Sequence, residues 1–225
     1  MFERYAIFYT PPPGPLAEFA ASWLGWDSET ATAVPHPVIA GVDVSNVTAT
    51  PRKYGFHGTL KAPFHLNPAC SVDELKAAIA VFCATQAPVV MDAFQLRQDH
   101  GFVALRPRTH TAMLREFASN VVREFDLFRA PLTEPDIARR RQADLTDRQD
   151  RQMLGWGYPY IFDDFSFHLT LSGQLSPTQG GIVIDVLEPL LEPVMSETAI
   201  IDAITLVGQD SNGMFHQICR YALTG

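Results

Sequence analysis

Two short segments of the chain carry the residues best suited to chemistry. Residues 56–60 are Phe-His-Gly-Thr-Leu, and residues 167–171 are Phe-His-Leu-Thr-Leu. In a β-strand alternate side chains share a face, so each segment places its histidine and its threonine on one face and mainly apolar residues on the other. The four residues with chemical potential are His57, Thr59, His168 and Thr170.

Two imidazoles that face one pocket are suited to moving two protons at a phosphate. Histidine titrates near neutral pH, so one ring can accept a proton from an attacking water or hydroxyl while the other donates a proton to the leaving oxygen. Each transfer contributes about 10²–10⁴-fold in rate. The hydroxyls of Thr59 and Thr170 can donate hydrogen bonds to the non-bridging oxygens. Because the two segments are so alike, the sequence leaves open which histidine is the base.

Six side chains beside these segments are candidates for substrate binding. The basic ones would bind a phosphate, and the tyrosines would stack on a base or a sugar. Lys61 is predicted to continue the face that carries His57 and Thr59. The alternative for residues 52–54 is a solvated loop, and the alternative for Lys61 is an exposed lysine at a strand end. Tyr158 and Tyr160 could instead pack between the lobes. The six are Arg52, Lys53, Tyr54, Lys61, Tyr158 and Tyr160.

The remaining histidines and two further arginines have no partner in a repeated motif. Structural or surface roles are predicted for His36, His65, His100, His110, His216, Arg106 and Arg108. A zinc site would have to combine His65 with the two motif histidines, and neither a helical HxxxH nor a cysteine–histidine cluster supports it. We therefore predict neither a metal nor a cofactor.

Charge and cysteine content limit the class of protein. The net charge of −8 argues against broad, sequence-independent binding to nucleic acid, although it leaves room for a local basic pocket. Three cysteines without a CxxC pair predict buried thiols in a reducing cytosol. The N-terminal residues lack a signal-peptide pattern, and no segment is apolar enough to span a membrane. We expect a cytoplasmic protein with a small phosphorylated metabolite as its partner and no obligatory protein partner.

The two histidine segments stand at the start of matching series of elements. Each is followed by a predicted helix, a strand, a turn and a returning strand. The turn glycine Gly101 lies 44 residues after His57, and Gly213 lies 45 residues after His168. Seven histidines would give about one His-x-[Ser/Thr] by chance, so either motif alone is weak. The matching distances favour an internal duplication.

The pattern also predicts individual elements. Strands are predicted at residues 5–9, 88–96, 102–105, 199–207 and 214–221, and helices at 16–26 and 113–128. Ser71 with Glu74 predicts a capping box, and Ser176 with Pro177 predicts a second helix start. Residues 27–51 are predicted to form a loop with one short extended piece.

These elements predict an α+β fold in a single bilobal domain, residues 1–225. Two pseudo-symmetric βαββ lobes would carry antiparallel sheets that face a central groove, with the helices outside. The first motif lobe spans about 52–128, a connecting insert about 129–160, and the second motif lobe about 161–225. The insert mixes both charge signs at helical spacing, which indicates a solvated helical connection, and its aromatic end at 155–160 could form a lid.

The doubled motif resembles the two-histidine (2H) phosphoesterase superfamily over residues 5–221. The longer signature at 52–64, Arg-Lys-Tyr-Gly-Phe-His-Gly-Thr-Leu-Lys-Ala-Pro-Phe, is similar to a poorly characterised subgroup often encoded beside bacterial phosphonate-degradation genes. The resemblance implies two lobes, a metal-independent reaction at a 2′,3′-cyclic phosphate or related phosphodiester, and acid/base roles for His57 and His168. It also implies phosphate binding by Thr59 and Thr170.

Three functions remain open at this point. The first is a metal-independent phosphoesterase acting on a cyclic phosphate or small phosphodiester, in the context of phosphonate metabolism. The second is processing of RNA 2′,3′-cyclic termini, against which the acidic charge counts. The third is a non-catalytic module that senses a nucleotide or sugar phosphate, although binding alone does not require two titratable groups. A catalyst should survive EDTA and show a bell-shaped pH profile near neutrality.

Overall fold

The computed structural model describes residues 2–195 and 198–225. Its strands are β1 Arg4–Tyr9, β2 Trp26–Asp27, β3 Thr32–Ala33, β4 Gly58–Phe64, β5 Val89–Asp92, β6 Phe94–Asp99, β7 Phe102–Pro107, β8 Leu169–Thr170, β9 Thr198–Ile201, β10 Ala203–Gln209 and β11 Phe215–Ala222. Its α-helices are α1 Pro15–Leu24, α2 Val44–Val47, α3 Val72–Ala84, α4 Ala112–Glu124, α5 Glu134–Arg140, α6 Asp147–Trp156 and α7 Pro177–Leu191. Short 3₁₀ turns occupy Pro51–Tyr54, Asp126–Phe128 and Phe162–Asp164.

The central feature is a seven-stranded antiparallel sheet in the order β11-β10-β1-β4-β8-β7-β6. The two strands that follow the motif histidines, β4 and β8, are neighbours in the middle of this sheet. Two small antiparallel sheets, β2-β3 and β5-β9, lie outside this central sheet. The predicted α+β class with antiparallel strands is confirmed.

The two repeated segments exchange their hairpins. The β6–β7 hairpin of the first segment pairs with β8 of the second, while the β10–β11 hairpin of the second pairs with β1 beside β4. The helices follow the same exchange, because α3 packs on β10 and β11 and α7 packs on β6 and β7. The structure therefore differs from the expectation that each segment would build its own sheet.

The exchange takes place where the chain was predicted to form single long strands. Residues 88–96 divide at Ala93 into β5 and β6, and residues 199–207 divide at Asp202 into β9 and β10. The two segments cross each other at the small sheet formed by β5 and β9. After this crossing, the hairpin of each segment joins the part of the central sheet beside the other segment.

The two faces of the central sheet have different partners. Along β1, Tyr5, Ile7 and Tyr9 face the main hydrophobic core beneath the helices. On the opposite face Ala6 and Phe8 pack with Val207 and Phe215 in a separate apolar cluster. This second face forms the floor of a groove on the side of the sheet opposite the main core.

Local sequence signals account for the helix boundaries. Ser71 and Glu74 form the predicted capping box of α3, and Ser176 forms another with Gln179 at α7. The predicted helix at 113–128 ends earlier, at Glu124, and continues as a 3₁₀ turn. The predicted loop at 27–51 contains α2 and most of the small β2–β3 sheet. In the described residues we find no helix long and apolar enough to cross a membrane.

Candidate active site

The pairing of β4 with β8 brings the two motifs together. Gly58 is opposite Leu169 in this antiparallel pair, so the register places each motif histidine across from the threonine of the other motif. The strands approach closely because Gly58 has no side chain. A Cβ at this position would lie 2.5 Å from Cζ of Phe167, which is fully buried.

The two histidines have the same backbone anchor. Nδ1 of His57 lies 3.0 Å from the carbonyl oxygen of Gly55, and Nδ1 of His168 lies 2.8 Å from that of Ser166. A carbonyl oxygen only accepts hydrogen bonds, so Nδ1 is the donor in both rings and Nε2 of the neutral ring is left as the acceptor. Nε2 of His57 is 3.2 Å from Oγ1 of Thr59. Both rings can therefore exchange a proton through Nε2.

Aromatic side chains hold the first ring more closely than the second. His57 stacks on Phe8 with 3.9 Å between ring centroids. Tyr54 stacks with both His57 and Phe215, at centroid distances of 5.6 Å and 5.0 Å. The second ring, that of His168, has a looser, tilted contact with Phe102 at 5.4 Å.

These surroundings lower the pKa of both histidines. The pKa of His57 is lowered to about 4, mainly because the ring is buried. The hydrogen bond to Gly55 raises this pKa in part, and the charge of His168 lowers it. Burial also lowers the pKa of His168, the bond to Ser166 opposes this, and the positive charge of Arg106 adds to the lowering. Both imidazoles are thus biased towards the neutral form in the free protein.

The groove has a volume of about 820 Å³ and two chemically different ends. Its histidine end carries both motifs with Tyr54, and its arginine end is formed by Arg4, Arg139 and Arg140. A side pocket of about 450 Å³ adjoins the histidine end and shares Thr59, His168 and Tyr158 with it. This size is within the range of sites for small metabolites.

Three of the predicted binding residues lie elsewhere. The prediction that Lys61 shares a face with His57 is wrong, because β4 bulges at Leu60: Thr59 pairs with Phe8 and Lys61 pairs with the adjacent residue of β1. The Lys61 amine is buried beneath α4, 3.1 Å from the carbonyl oxygen of Val122 and 3.2 Å from Oδ1 of Asp126.

Arg52 and Lys53 are not among the groove-lining residues of the described chain. The Arg52 guanidinium donates to the carbonyl oxygens of Leu24 and Ser45, so it stabilises its own loop. Lys53 is exposed on the same 3₁₀ turn. The predicted phosphate contact at these two residues is not supported by their positions.

The predicted tyrosines do lie at the site. Tyr54 lines the groove, Tyr160 lines the side pocket, and Tyr158 lines both. The end of the insert therefore closes one side of the cavity. Whether this segment moves as a lid stays a prediction.

Arg106, which was predicted to be a surface residue, is a buried part of the site. Its Nη1 donates to Oγ of Ser166 at 2.8 Å, its Nε lies 2.8 Å from Oδ2 of Asp99, and its side chain lines the side pocket. The signal was period-two alternation along β7, where Ala104 pairs with Thr170 and Arg106 falls on the same face. It was missed because the strand was predicted to end at residue 105.

The arginine end of the groove was also missed. Arg139 and Arg140 belong to the last turn of α5, within the insert that was predicted to be a solvated connection. The sequence places them in a charged helix, and only the tertiary structure shows that they meet Arg4 of β1. Within the described residues, no group of three or more histidine, cysteine or acidic side chains is arranged to hold a metal ion.

An α+β fold that places two histidine–threonine pairs in one groove defines a class of two-histidine cleft protein. The chain belongs to the family described as "Protein of unknown function (DUF1045)", which it matches over residues 59–216.

Two curated relatives are both named "Ribose 1,5-bisphosphate phosphokinase PhnN". The one from Janthinobacterium sp. (strain Marseille) is 34% identical over 218 residues, which cover 93% of this chain and 48% of the relative. The one from Laribacter hongkongensis (strain HLHK9) is 32% identical over 181 residues, covering 76% and 40%. The chain thus spans about half the length, or less, of these curated relatives.

Two solved structures illustrate the structural similarities. E. coli LigT complexed with NADP+ is 16% identical with a TM-score of 0.45, covering 100% of this chain and 99% of LigT. TT0787 of Thermus thermophilus is 14% identical with a TM-score of 0.47, covering 99% and 98%.

Proposed function

We propose that the protein is a metal-independent phosphoesterase that hydrolyses a cyclic phosphate or a small phosphodiester. The observation that carries this proposal is the matched anchoring of the two rings: each Nδ1 donates to a backbone carbonyl, which leaves each Nε2 as the proton acceptor, that of His57 at 3.2 Å from Oγ1 of Thr59. Two such nitrogens across one pair of strands are what acid/base catalysis at a single phosphorus requires.

His57 suits the role of base and His168 that of acid. The ring with the lower pKa stays unprotonated over the wider pH range, and burial against Phe8 gives His57 that property. A bound phosphate anion favours an imidazolium beside it, which supplies the proton on His168. This assignment is our proposal for the choice between base and acid that the sequence leaves open.

The proposed reaction is an in-line hydrolysis. Nε2 of His57 takes a proton from water as the water oxygen forms a bond to phosphorus. The bond from phosphorus to the leaving oxygen breaks, and Nε2 of His168 gives its proton to that oxygen. The products are a phosphomonoester and a free hydroxyl, and proton exchange with solvent restores both rings. Thr59 and Thr170 donate hydrogen bonds to the non-bridging oxygens.

The substrate we favour is a ribosyl cyclic phosphate, in phosphonate metabolism. The curated relatives are named for a kinase of ribose 1,5-bisphosphate, and this chain corresponds to about half of them. Two activities on one polypeptide commonly serve successive reactions. Opening a cyclic phosphate on a ribosyl ring yields a ribosyl phosphomonoester, which is the chemical class that the named kinase takes.

A substrate screen with matched variants tests the proposal. We expect turnover of ribosyl cyclic phosphates in EDTA, and a loss of about 10²–10⁴-fold in kcat for His57→Ala and for His168→Ala. His216→Gln, in β11 away from the groove, is the control and should keep full activity. Near wild-type turnover by either alanine variant would overturn the acid/base assignment. Faster hydrolysis of oligonucleotide 2′,3′-cyclic ends would favour RNA processing instead.

A further inference from the structure

The arginine end of the groove lies at a definite distance from the reacting histidines. Arg4 and Phe8 are on the same face of β1, and four residues of a strand span about 13 Å. His57 stacks on Phe8, while Arg4 lines the far end of the same groove. The reach of the Arg4 side chain shortens the distance between its guanidinium and the His57 ring. One compact molecule can therefore contact both ends of the groove.

Arg140 forms no ion pair with any carboxylate in the part of the chain that the structure describes. Its Nε atom is buried without a hydrogen-bond partner, and no carboxylate of the described residues lies within ion-pair distance of its guanidinium. Its nearest aromatic contact is Tyr158, with 5.4 Å from the guanidinium carbon to the ring centroid. A buried polar group without a partner is costly, and an anion would relieve the cost.

The neighbouring charges leave this position open to an anion. The acidic group closest in the fold, Asp136, is occupied: it accepts from Arg139 at 2.7 Å and from the Thr133 hydroxyl at 2.7 Å as part of the α5 cap. Glu3 also lines the groove, and it is exposed. Arg4 uses its Nε to hold Gln209 at 2.6 Å, which leaves its terminal nitrogens available.

Nearby groups add to the same preference. Burial lowers the pKa of Arg140, and the charges of Arg139 and Arg4 lower it further, whereas Tyr158 and Asp136 raise it. Burial raises the pKa of Tyr158 to about 12, so its hydroxyl keeps its proton and can donate. Guanidinium groups bind phosphate oxygens in a bidentate manner.

We infer that Arg140 and Arg4 form a second anion site, which binds a phosphomonoester on the same substrate whose phosphodiester lies between His57 and His168. The substrate class is then a cyclic phosphodiester of a sugar that carries a separate phosphate group. This inference rests on the proposed function for the reacting phosphate, and it places the second phosphate at Arg4 and Arg140 rather than at Arg52 and Lys53.

The first test compares two probes, ribofuranosyl 1,2-cyclic phosphate with and without a phosphate on the 5-carbon. We expect wild-type kcat/KM to be about tenfold to hundredfold higher for the phosphorylated probe. In Arg140→Met and Arg4→Met the ratio of the two kcat/KM values should fall towards one. Arg151→Met, an exposed arginine of α6 outside the groove, is the matched control and should keep the wild-type ratio.

A binding measurement separates this inference from the proposed function. Calorimetry on the His57→Ala/His168→Ala double variant should show tighter binding of the phosphorylated probe by about tenfold or more, and Arg140→Met added to that variant should remove the difference. Equal affinity for the two probes overturns the second anion site whether or not hydrolysis occurs. If the double histidine variant still hydrolyses both probes, the proposed function is overturned. The second anion site is then judged by the binding measurement alone.

Discussion

At the scale of single residues, two chemically identical side chains are given different surroundings. His57 is stacked on Phe8 beside Tyr54, whereas His168 has a looser aromatic contact and lies within reach of the Arg106 charge. Burial lowers both pKa values, that of His57 to about 4. The repeated motif thus has an asymmetry of the kind that the proposed acid/base pair would use.

This asymmetry predicts the pH dependence of the reaction. The proposed mechanism requires neutral His57 and protonated His168, so kcat/KM should fall with decreasing pH through about 4 and with increasing pH through a pKa below the usual 6.5. The expected optimum lies on the acid side of neutrality, and the profile of kcat should be shifted upward because the bound anion favours the imidazolium. The measurement is a pH–rate profile with the probe that lacks the second phosphate, since a phosphomonoester would itself titrate in this range.

The origin of the alkaline limb can be checked separately. The Arg106 charge lowers the pKa of His168, so Arg106→Met should move the alkaline limb to higher pH and leave the acid limb in place. Arg108→Met, an exposed arginine on the other side of the same proline, should move neither. An alkaline limb above pH ~7 in the wild-type kcat/KM profile would contradict the assignment.

At the scale of elements, period-two counting succeeds only where a strand is regular. It placed His57 with Thr59 and His168 with Thr170 correctly, because each pair spans a single alternation. It failed at Lys61 because the bulge at Leu60 reverses the faces. A bulge depends on how β4 must fit against β1, and the sequence of β4 alone does not contain that information.

The closest contact between the two motif strands predicts a specific sensitivity. In Gly58→Ala the new methyl group would overlap the buried Phe167 ring, whose neighbour is His168. We expect a loss of about 1–3 kcal/mol in the free energy of unfolding and a fall of about tenfold or more in kcat, since small displacements of a catalytic group are costly. Chemical denaturation and steady-state kinetics measure the two effects.

A second glycine provides the control for this substitution. Gly181 lies inside α7 with open space around the position of a Cβ, so Gly181→Ala should stabilise the protein by up to about 1 kcal/mol and leave kcat unchanged. If Gly58→Ala were as stable and as active as wild type, the close packing of β4 on β8 would not be what positions the histidines.

At the scale of the whole molecule, the sequence predicts the elements and their order but not their partners. Capping boxes, alternation and turn glycines are local signals, and the α+β class follows from them. The exchange of hairpins is decided by which sheet edges are free once β4 and β8 are adjacent, and by the pairing of β5 with β9. The arginine end of the groove depends on the same long-range arrangement, since α5 meets β1 only in the folded chain.

Because the hairpins are exchanged, the two halves of the chain should fold only together. A cut after residue 142, in the connection between α5 and α6, places β1 and β4 on one fragment and their neighbours β10 and β8 on the other. Co-expressed fragments 1–142 and 143–225 should co-purify, show one cooperative thermal transition and retain hydrolytic activity. The local cost is small, since the nearby contacts that span the cut are the partly exposed Arg141–Asp150 ion pair and a 3.3 Å hydrogen bond from Ala143 N to the Arg140 carbonyl oxygen.

Each fragment expressed alone should be insoluble or unfolded, because it leaves long sheet edges without a partner. Calorimetry on the separate fragments and on the complex distinguishes the outcomes. A cooperative transition in fragment 1–142 alone would mean that the first histidine segment is an independent folding unit. In that case the catalytic groove would be an interface between two prefolded lobes, and the geometry of the histidine pair would depend on their docking rather than on a continuous sheet.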